Sequence, residues 1–192
     1  MDKSPLENFI RQLLPLNAPE WTAFEAVWHE WDCPRKTVLT AAGDTERYLY
    51  FVLEGVQRAY WLSPAGRDAT IVFTYPVSFS GVADSFLTQT PSFVTFETLT
   101  ASRFLRATHG QVKELMDRFP AIARLVLAAT SLALKGSIER QVELQCLDAK
   151  ARFRTLLARS PHLLNLVPHK YIASYLGLDP ATFSKLLGSV RI

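Results

Sequence analysis

Between His169 and Gly188 the chain sets small and apolar residues at the intervals needed by two helices that cross over a tight turn: Ile172, Ala173, Leu176, Gly177, Leu178, Phe183 and Leu186. Pro168 lies at the start of the first helix, Gly177 can take the left-handed conformation that ends it, and Asp179-Pro180 gives the second an N-cap followed by proline at N1. The chemistry open to such a pair is DNA recognition, because a helix N-terminus offers free N–H groups to a phosphate while outward side chains reach base edges. On this reading the DNA-binding residues are Lys170, Pro180, Ala181, Thr182, Ser184 and Lys185. An ordinary helical hairpin fits the same apolar spacing. The charge distribution favours DNA: residues 149–192 hold seven basic residues (Lys150, Arg152, Arg154, Arg159, Lys170, Lys185 and Arg191) against Asp179, a local balance of +6 in a chain whose net charge is +3.

No other constellation carries chemistry. The four histidines, His29, His109, His162 and His169, all fall outside the strand-rich segment, so a cupin-like metal enzyme is disfavoured. The chain has no P-loop, GxSxG elbow, GxGxxG fingerprint or HExxH pair. An enzyme is therefore not expected, nor is a cofactor. Cys33 and Cys146 stand far apart without a CxxC partner, which points to buried thiols rather than a disulfide framework or an iron–sulfur site. Asp2, Glu7 and Arg11 interrupt any leader-like apolar run, and no apolar stretch reads as long enough to span a bilayer, so a cytoplasmic protein without a membrane partner is expected.

The elements that must position the helix pair follow from periodicity. Leu6, Phe9, Ile10, Leu13 and Leu14, then Trp21, Phe24, Val27 and Trp28, recur at helical spacing. From about Lys36 to Ala107 the texture is short β-rich runs (Val38–Leu39, Tyr48–Leu53, Val56–Leu62, Thr70–Tyr75, Phe93–Leu99 and Arg103–Arg106) separated by turn residues, which predicts a sandwich or barrel. Helix returns after Gly110, stops at Pro120, and then runs without internal proline to Leu147, roughly 40 Å at 1.5 Å per residue. Its first half is apolar over more than one face (Ile122, Leu125, Val126, Leu127, Leu132, Leu134), as in a helix covered by its own β domain on one side and a partner helix on the other. A homodimer is expected; a buried helix inside a monomer fits the same pattern. The fold class is α+β.

The string Val167-Pro168-His169-Lys170-Tyr171-Ile172-Ala173-Ser174-Tyr175-Leu176-Gly177 resembles the helix-turn-helix of Crp/Fnr-family regulators, in particular the compact branch common in Bacteroidetes. Leu39 to Gly43 and Tyr50-Phe51-Val52-Leu53-Glu54-Gly55, with Arg58 and Tyr60, resemble the first strands of that family's β-roll. The resemblance covers nearly the whole chain. It implies a cyclic-nucleotide-binding-like, jelly-roll-type sensor with N-terminal helices over residues 1–119, a dimerisation and linker helix over 120–148, and a DNA-binding domain over 149–192.

Two departures from the family bear on function. Cyclic-nucleotide-binding members hold the ribose with the glutamate of a Gly-Glu pair and neutralise the phosphate with a following arginine. Here Gly81 precedes Val82, the arginine slot falls near Ser92, and no Lys, Arg or His occurs between Arg67 and Arg103. Burying a phosphate without a cation is costly, so cyclic AMP is not expected to bind in the usual way. Gly81, Val82, Ala83, Ser85 and Ser92 remain the candidate ligand residues, with Tyr48, Phe73 and Phe86 suited to an uncharged or aromatic small-molecule effector. In the second helix many relatives carry Glu where this chain has Ala181 and Arg where it has Lys185, so base preference is not transferable. With Ile192 as the last residue, a wing after the helix pair is not expected. The expected partners are double-stranded DNA with a palindromic operator, a second copy of the chain and, if the protein activates, RNA polymerase. The competing reading is a degenerate sensor whose helix-turn-helix serves as a protein-interaction module.

Overall fold

The computed structural model describes residues 2–189. Arg191, counted in the basic balance, and the chain end at Ile192 lie outside the described residues. Two helices, α1 (Ser4–Leu13) and α2 (Ala18–Ala26), precede eight antiparallel strands: β1 (His29–Cys33), β2 (Val38–Thr40), β3 (Tyr48–Glu54), β4 (Gln57–Leu62), β5 (Asp68–Thr74), β6 (Ser78–Ser80), β7 (Thr95–Thr98) and β8 (Ser102–Thr108). A short helix, α3 (Ala83–Thr88), interrupts the strands between β6 and β7. The strands form two four-stranded sheets, β1-β8-β3-β6 and β2-β7-β4-β5, so that β5 and β6 are edge strands.

Side-chain alternation divides the core. Tyr50 and Val52 of β3 face Phe104, Ala59 and Phe96 between the sheets, whereas Phe51 turns outward onto a helical cap containing Leu6, Ile10, Phe24 and Trp28. That cap is completed by α4 (His109–Arg118) and the start of α5 (Pro120–Cys146), which contribute Val112, Leu115, Ile122 and Leu125. Within residues 1–119 three elements escaped the sequence reading: β1, whose pattern His-Glu-Trp-Asp-Cys is mostly polar, the three-residue β6, and α3.

Helix α5 corrects one expectation. At 27 residues, with a window of mean hydropathy 1.5, it is long and apolar enough to cross a membrane by length and composition. Its apolarity has another outlet: Leu127, Leu134, Ile138 and Val142 are each more than half exposed and follow one another after seven, four and four residues, the spacing of a seam between helices. Beyond it lie α6 (Ala149–Arg159), α7 (Leu163–Leu166), α8 (His169–Tyr175) and α9 (Pro180–Ser189). Their core (Phe153, Leu156, Ile172, Ala173, Leu176, Phe183) is continuous with Phe73 of β5 and with Val56 and Leu99 of the turns after β3 and β7.

Candidate nucleic-acid interface and sensor cavity

Helix α8 ends in a Schellman motif. The Gly177 N–H donates to Ser174 O at 3.0 Å and the Leu178 N–H to Ala173 O at 2.9 Å, with Gly177 at φ +64°. Asp179 then caps α9: one carboxylate oxygen accepts from the Thr182 N–H at 2.9 Å and the other from the Thr182 hydroxyl at 2.6 Å. These bonds hold the Asp179 carboxyl below its usual range, the side-chain bond from Thr182 contributing most. Phe183 fixes the crossing by packing its ring on Phe153, centroids 5.5 Å apart.

This geometry turns Lys170, Pro180, Ala181, Ser184 and Lys185 to solvent, while Thr182 is half-buried with its hydroxyl committed to the cap. The Ser184 hydroxyl donates back to Pro180 O. Among the described residues Lys185 forms no ion pair, and the Lys170 ammonium lies 4.8 Å from the Tyr171 ring centroid. Lys170 of α8 and Lys185 of α9 are thus exposed cations of the helix pair.

The opposite side of α8 lies on the β5 edge. Ser174 Oγ accepts from the Thr70 N–H and donates to Asp68 O, both at 2.9 Å. Arg58, 3% exposed, has its guanidinium between the rings of Tyr60 and Tyr171, at 4.0 and 3.6 Å, and donates to Glu97, Asp68 and Thr70. Phe73 meets Tyr175, the Tyr75 hydroxyl bonds Ser160, and Arg140 of α5 donates to the Tyr175 carbonyl. Sequence reasoning missed Ser174 and Arg58 as joints between the strands and the helix pair; no local pattern marks them.

The ligand candidates divide. Gly81, Val82 and Ala83 line a cavity of about 800 Å³ between the strands, α5 and the C-terminal helices, and Tyr48, Phe73 and Phe86 line it too. Ser85 and Ser92 are buried and serve the chain's own backbone. Ser85 Oγ accepts from the Glu46 N–H and donates to Thr90 O, while Ser92 Oγ bonds both backbone groups of Val94.

Beneath Gly81, whose φ is +115°, sits the carboxylate of Glu46, 1% exposed. It accepts from the N–H groups of Val82, Arg47 and Tyr48. Burial pushes its pKa up, opposed by these bonds and by Thr40. An N–H of the turn that would face a phosphate therefore serves an internal carboxylate. Sequence reasoning also passed over Glu46.

Residues 30–119 match the cyclic nucleotide-binding domain family. The anaerobic regulatory protein of Pasteurella multocida is 24% identical over 168 residues, or 82% of this chain; the chain spans 61% of that relative's length. Among solved structures, FixK2 from Bradyrhizobium japonicum aligns with TM-score 0.77 at 19% identity, covering 85% of this chain and 84% of that one. The c-di-GMP-responsive global regulator CLP of Xanthomonas campestris aligns at 0.66 with 18% identity over 90% and 91% of the two chains. The catabolite activator protein of Thermus thermophilus aligns at 0.57 with 21% identity over 91% and 83%. With the strand order of the roll, the long helix after it and the capped helix pair at its end, these matches give the chain the fold of the Crp/Fnr regulators, with residues 30–119 matching the cyclic nucleotide-binding domain.

Proposed function

We propose that the protein is a DNA-binding transcriptional regulator that acts as a homodimer in the cytoplasm and does not respond to cyclic AMP. The observation that carries the reading is the α8–α9 pair: a Schellman turn and an Asp179 cap hold α9 so that Lys185 and Ala181 face solvent, as does Lys170 on α8. Residues 1–119 serve as the sensor, 120–148 as the dimerisation and linker helix, and 149–192 as the DNA-binding domain. Pairing of two copies along Leu127, Leu134, Ile138 and Val142 gives a two-fold axis. Two recognition helices about 34 Å apart would read a palindromic operator in successive major grooves. Lys170, Pro180, Ala181, Thr182, Ser184 and Lys185 form the contact surface, and RNA polymerase is a partner if the protein activates.

The Glu46 carboxyl under Gly81-Val82 supports the absence of a cyclic AMP response, since it already takes the Val82 N–H and the candidate residues supply no free cation to a cyclic phosphate. The effector is held mainly by apolar contact in the cavity bordered by Gly81, Val82 and Ala83.

One observation favours a second reading, a protein-interaction module: α8 spends its Ser174, Tyr171 and Tyr175 side chains on the strands, and Ala181 offers no hydrogen-bonding group to a base edge. Fluorescence anisotropy with genomic promoter fragments at two salt concentrations, beside a cyclic AMP titration, separates the readings. A steep salt dependence with selection among fragments and no effect of cyclic AMP supports the regulator. Absence of binding at low salt transfers the helix pair to the second reading.

A further inference from the structure

The cavity extends well past the turn at Gly81, and its two ends differ in charge. At the Gly81 end stand Asp84 and, just beneath, the buried Glu46 carboxylate. At the far end, against the C-terminal helices, stand Arg140, Arg159, Tyr75, Ser160 and Tyr175. Both arginines reach one carboxylate: Arg140 donates to Glu143 at 2.9 Å and Arg159 to the same residue at 3.2 Å. Arg140 is 8% exposed and also satisfies the Tyr175 carbonyl, whereas the Arg159 side chain is 42% exposed and keeps spare donors. Two guanidiniums against one carboxylate leave a surplus positive charge at this end.

The walls between the ends are mainly apolar, and α5 faces the space with Ala129, Ala133, Gly136 and Ser137, side chains too small to fill it. At roughly 100° per residue this face lies about two-fifths of a turn from the stripe of Leu127, Leu134, Ile138 and Val142. A partner helix seated on that stripe is therefore centred away from the small-residue face. A volume of about 800 Å³ is within the range of small-molecule sites.

We infer that this cavity binds an elongated, mainly apolar carboxylate whose head meets Arg159 beside Tyr75 and Ser160 and whose tail runs along Ala133 toward Val82. The assignment rests on the sensor reading and replaces the expected uncharged effector at one end only: the Gly81 end excludes an anion, and the Arg159 end attracts one. Such a ligand touches the strands, α5 and α6 at once.

Fluorescence titration with 11-(dansylamino)undecanoate, and with neutral dansylamide as its head-free counterpart, tests the inference on the full chain. The carboxylate probe is expected to bind at micromolar concentration with a blue-shifted emission. Ala133→Trp should weaken it at least tenfold, as should Gly136→Leu, which guards against a folding defect in the first variant; circular dichroism checks both. Arg159→Gln should weaken the carboxylate probe at least fivefold and leave dansylamide unchanged. Lack of probe binding, equal binding by the cavity-filling variants, or equal response of both probes to Arg159→Gln overturns the assignment. Loss of probe signal as protein concentration drives dimer formation overturns it as well and gives the space to a second copy. DNA anisotropy on the same preparations keeps the two readings apart: DNA binding without probe binding removes the ligand alone, and probe binding without DNA binding removes the regulator alone.

Discussion

Ser174 closes the open edge of the second sheet: its hydroxyl oxygen takes the Thr70 N–H and gives its proton to Asp68 O, each at 2.9 Å, across more than a hundred residues of sequence. Edge-strand backbone groups are otherwise free to pair with another chain. One side chain of α8 thus both protects β5 and ties the helix pair to the sensor.

Ser174→Ala leaves the Thr70 N–H and the Asp68 carbonyl without this partner, and an unsatisfied buried group costs about 1–3 kcal/mol. Hydrogen exchange at the Thr70 amide should accelerate about tenfold or more, while amides of the central strand β3 keep their protection. Unchanged exchange at Thr70 would mean that something other than Ser174 closes the edge.

Arg58 is the other joint. Its guanidinium is buried with Glu97 at 2.7 Å and Asp68 at 2.8 Å and is stacked between two tyrosines, one from each side of the junction. Removing one member of a buried ion network costs about 3–5 kcal/mol, so Arg58→Ala should lower the urea midpoint strongly. Arg58→Lys should recover only part of the loss, because an ammonium cannot serve both carboxylates and both rings with a planar fork. Full rescue by lysine would reduce the role of Arg58 to its charge.

Periodicity made the strands, the long helix and the helix-turn-helix legible, since Ile172, Ala173, Leu176 and Phe183 occupy buried slots set by helix geometry alone. The capping residues were legible for the same reason: Gly177 and Asp179 act within a few residues of their own position. Ser174, Arg58 and Glu46 were not, because each takes its role from groups far away in sequence or from burial that a strand pattern does not reveal. Polar β1 and short β6 were hidden for want of a pattern, being recruited by their neighbours β8 and β3.

Glu46 gives a pH dependence with a definite sign. Burial raises its pKa in the folded protein above the ordinary 4.5, so the protonated form is favoured by folding. This contribution to stability is complete below about pH 4.5 and is lost as pH rises through the folded-state value. Urea denaturation of wild type and Glu46→Gln across pH 4 to 8 reads it as the difference between the two curves, which cancels groups shifted the other way such as Asp179. Wild type should lose stability relative to the variant as pH rises. A difference independent of pH would show that Glu46 keeps one protonation state throughout.

The exposed stripe of α5 makes the dimer testable by position. Leu134 and Ile138 are 60% and 53% exposed, and a glutamate at either puts a charge into the proposed seam. Sedimentation equilibrium should find Leu134→Glu and Ile138→Glu monomeric at micromolar concentration. Leu132, 54% exposed but on a different side of the helix, is the control, and Leu132→Glu should stay dimeric. Equal behaviour of all three variants would remove the stripe as the interface.

DNA binding is testable through salt, because each phosphate neutralised by a lysine releases condensed counterions, with a slope of about −0.9 in log K against log salt per contact. Lys170 is exposed on α8, and Lys185 is exposed on α9, whose start Asp179 caps. Lys170→Glu and Lys185→Glu should each weaken binding and reduce the slope by about 1 if the residue meets a phosphate, with the dimer intact. Lys185 also stands where a base contact is expected, so its charge reversal should in addition flatten the preference among promoter fragments, whereas Lys170→Glu should weaken all fragments alike. A variant that keeps wild-type affinity and slope would place its lysine outside the DNA surface, and two such variants would move that surface off α8 and α9 altogether.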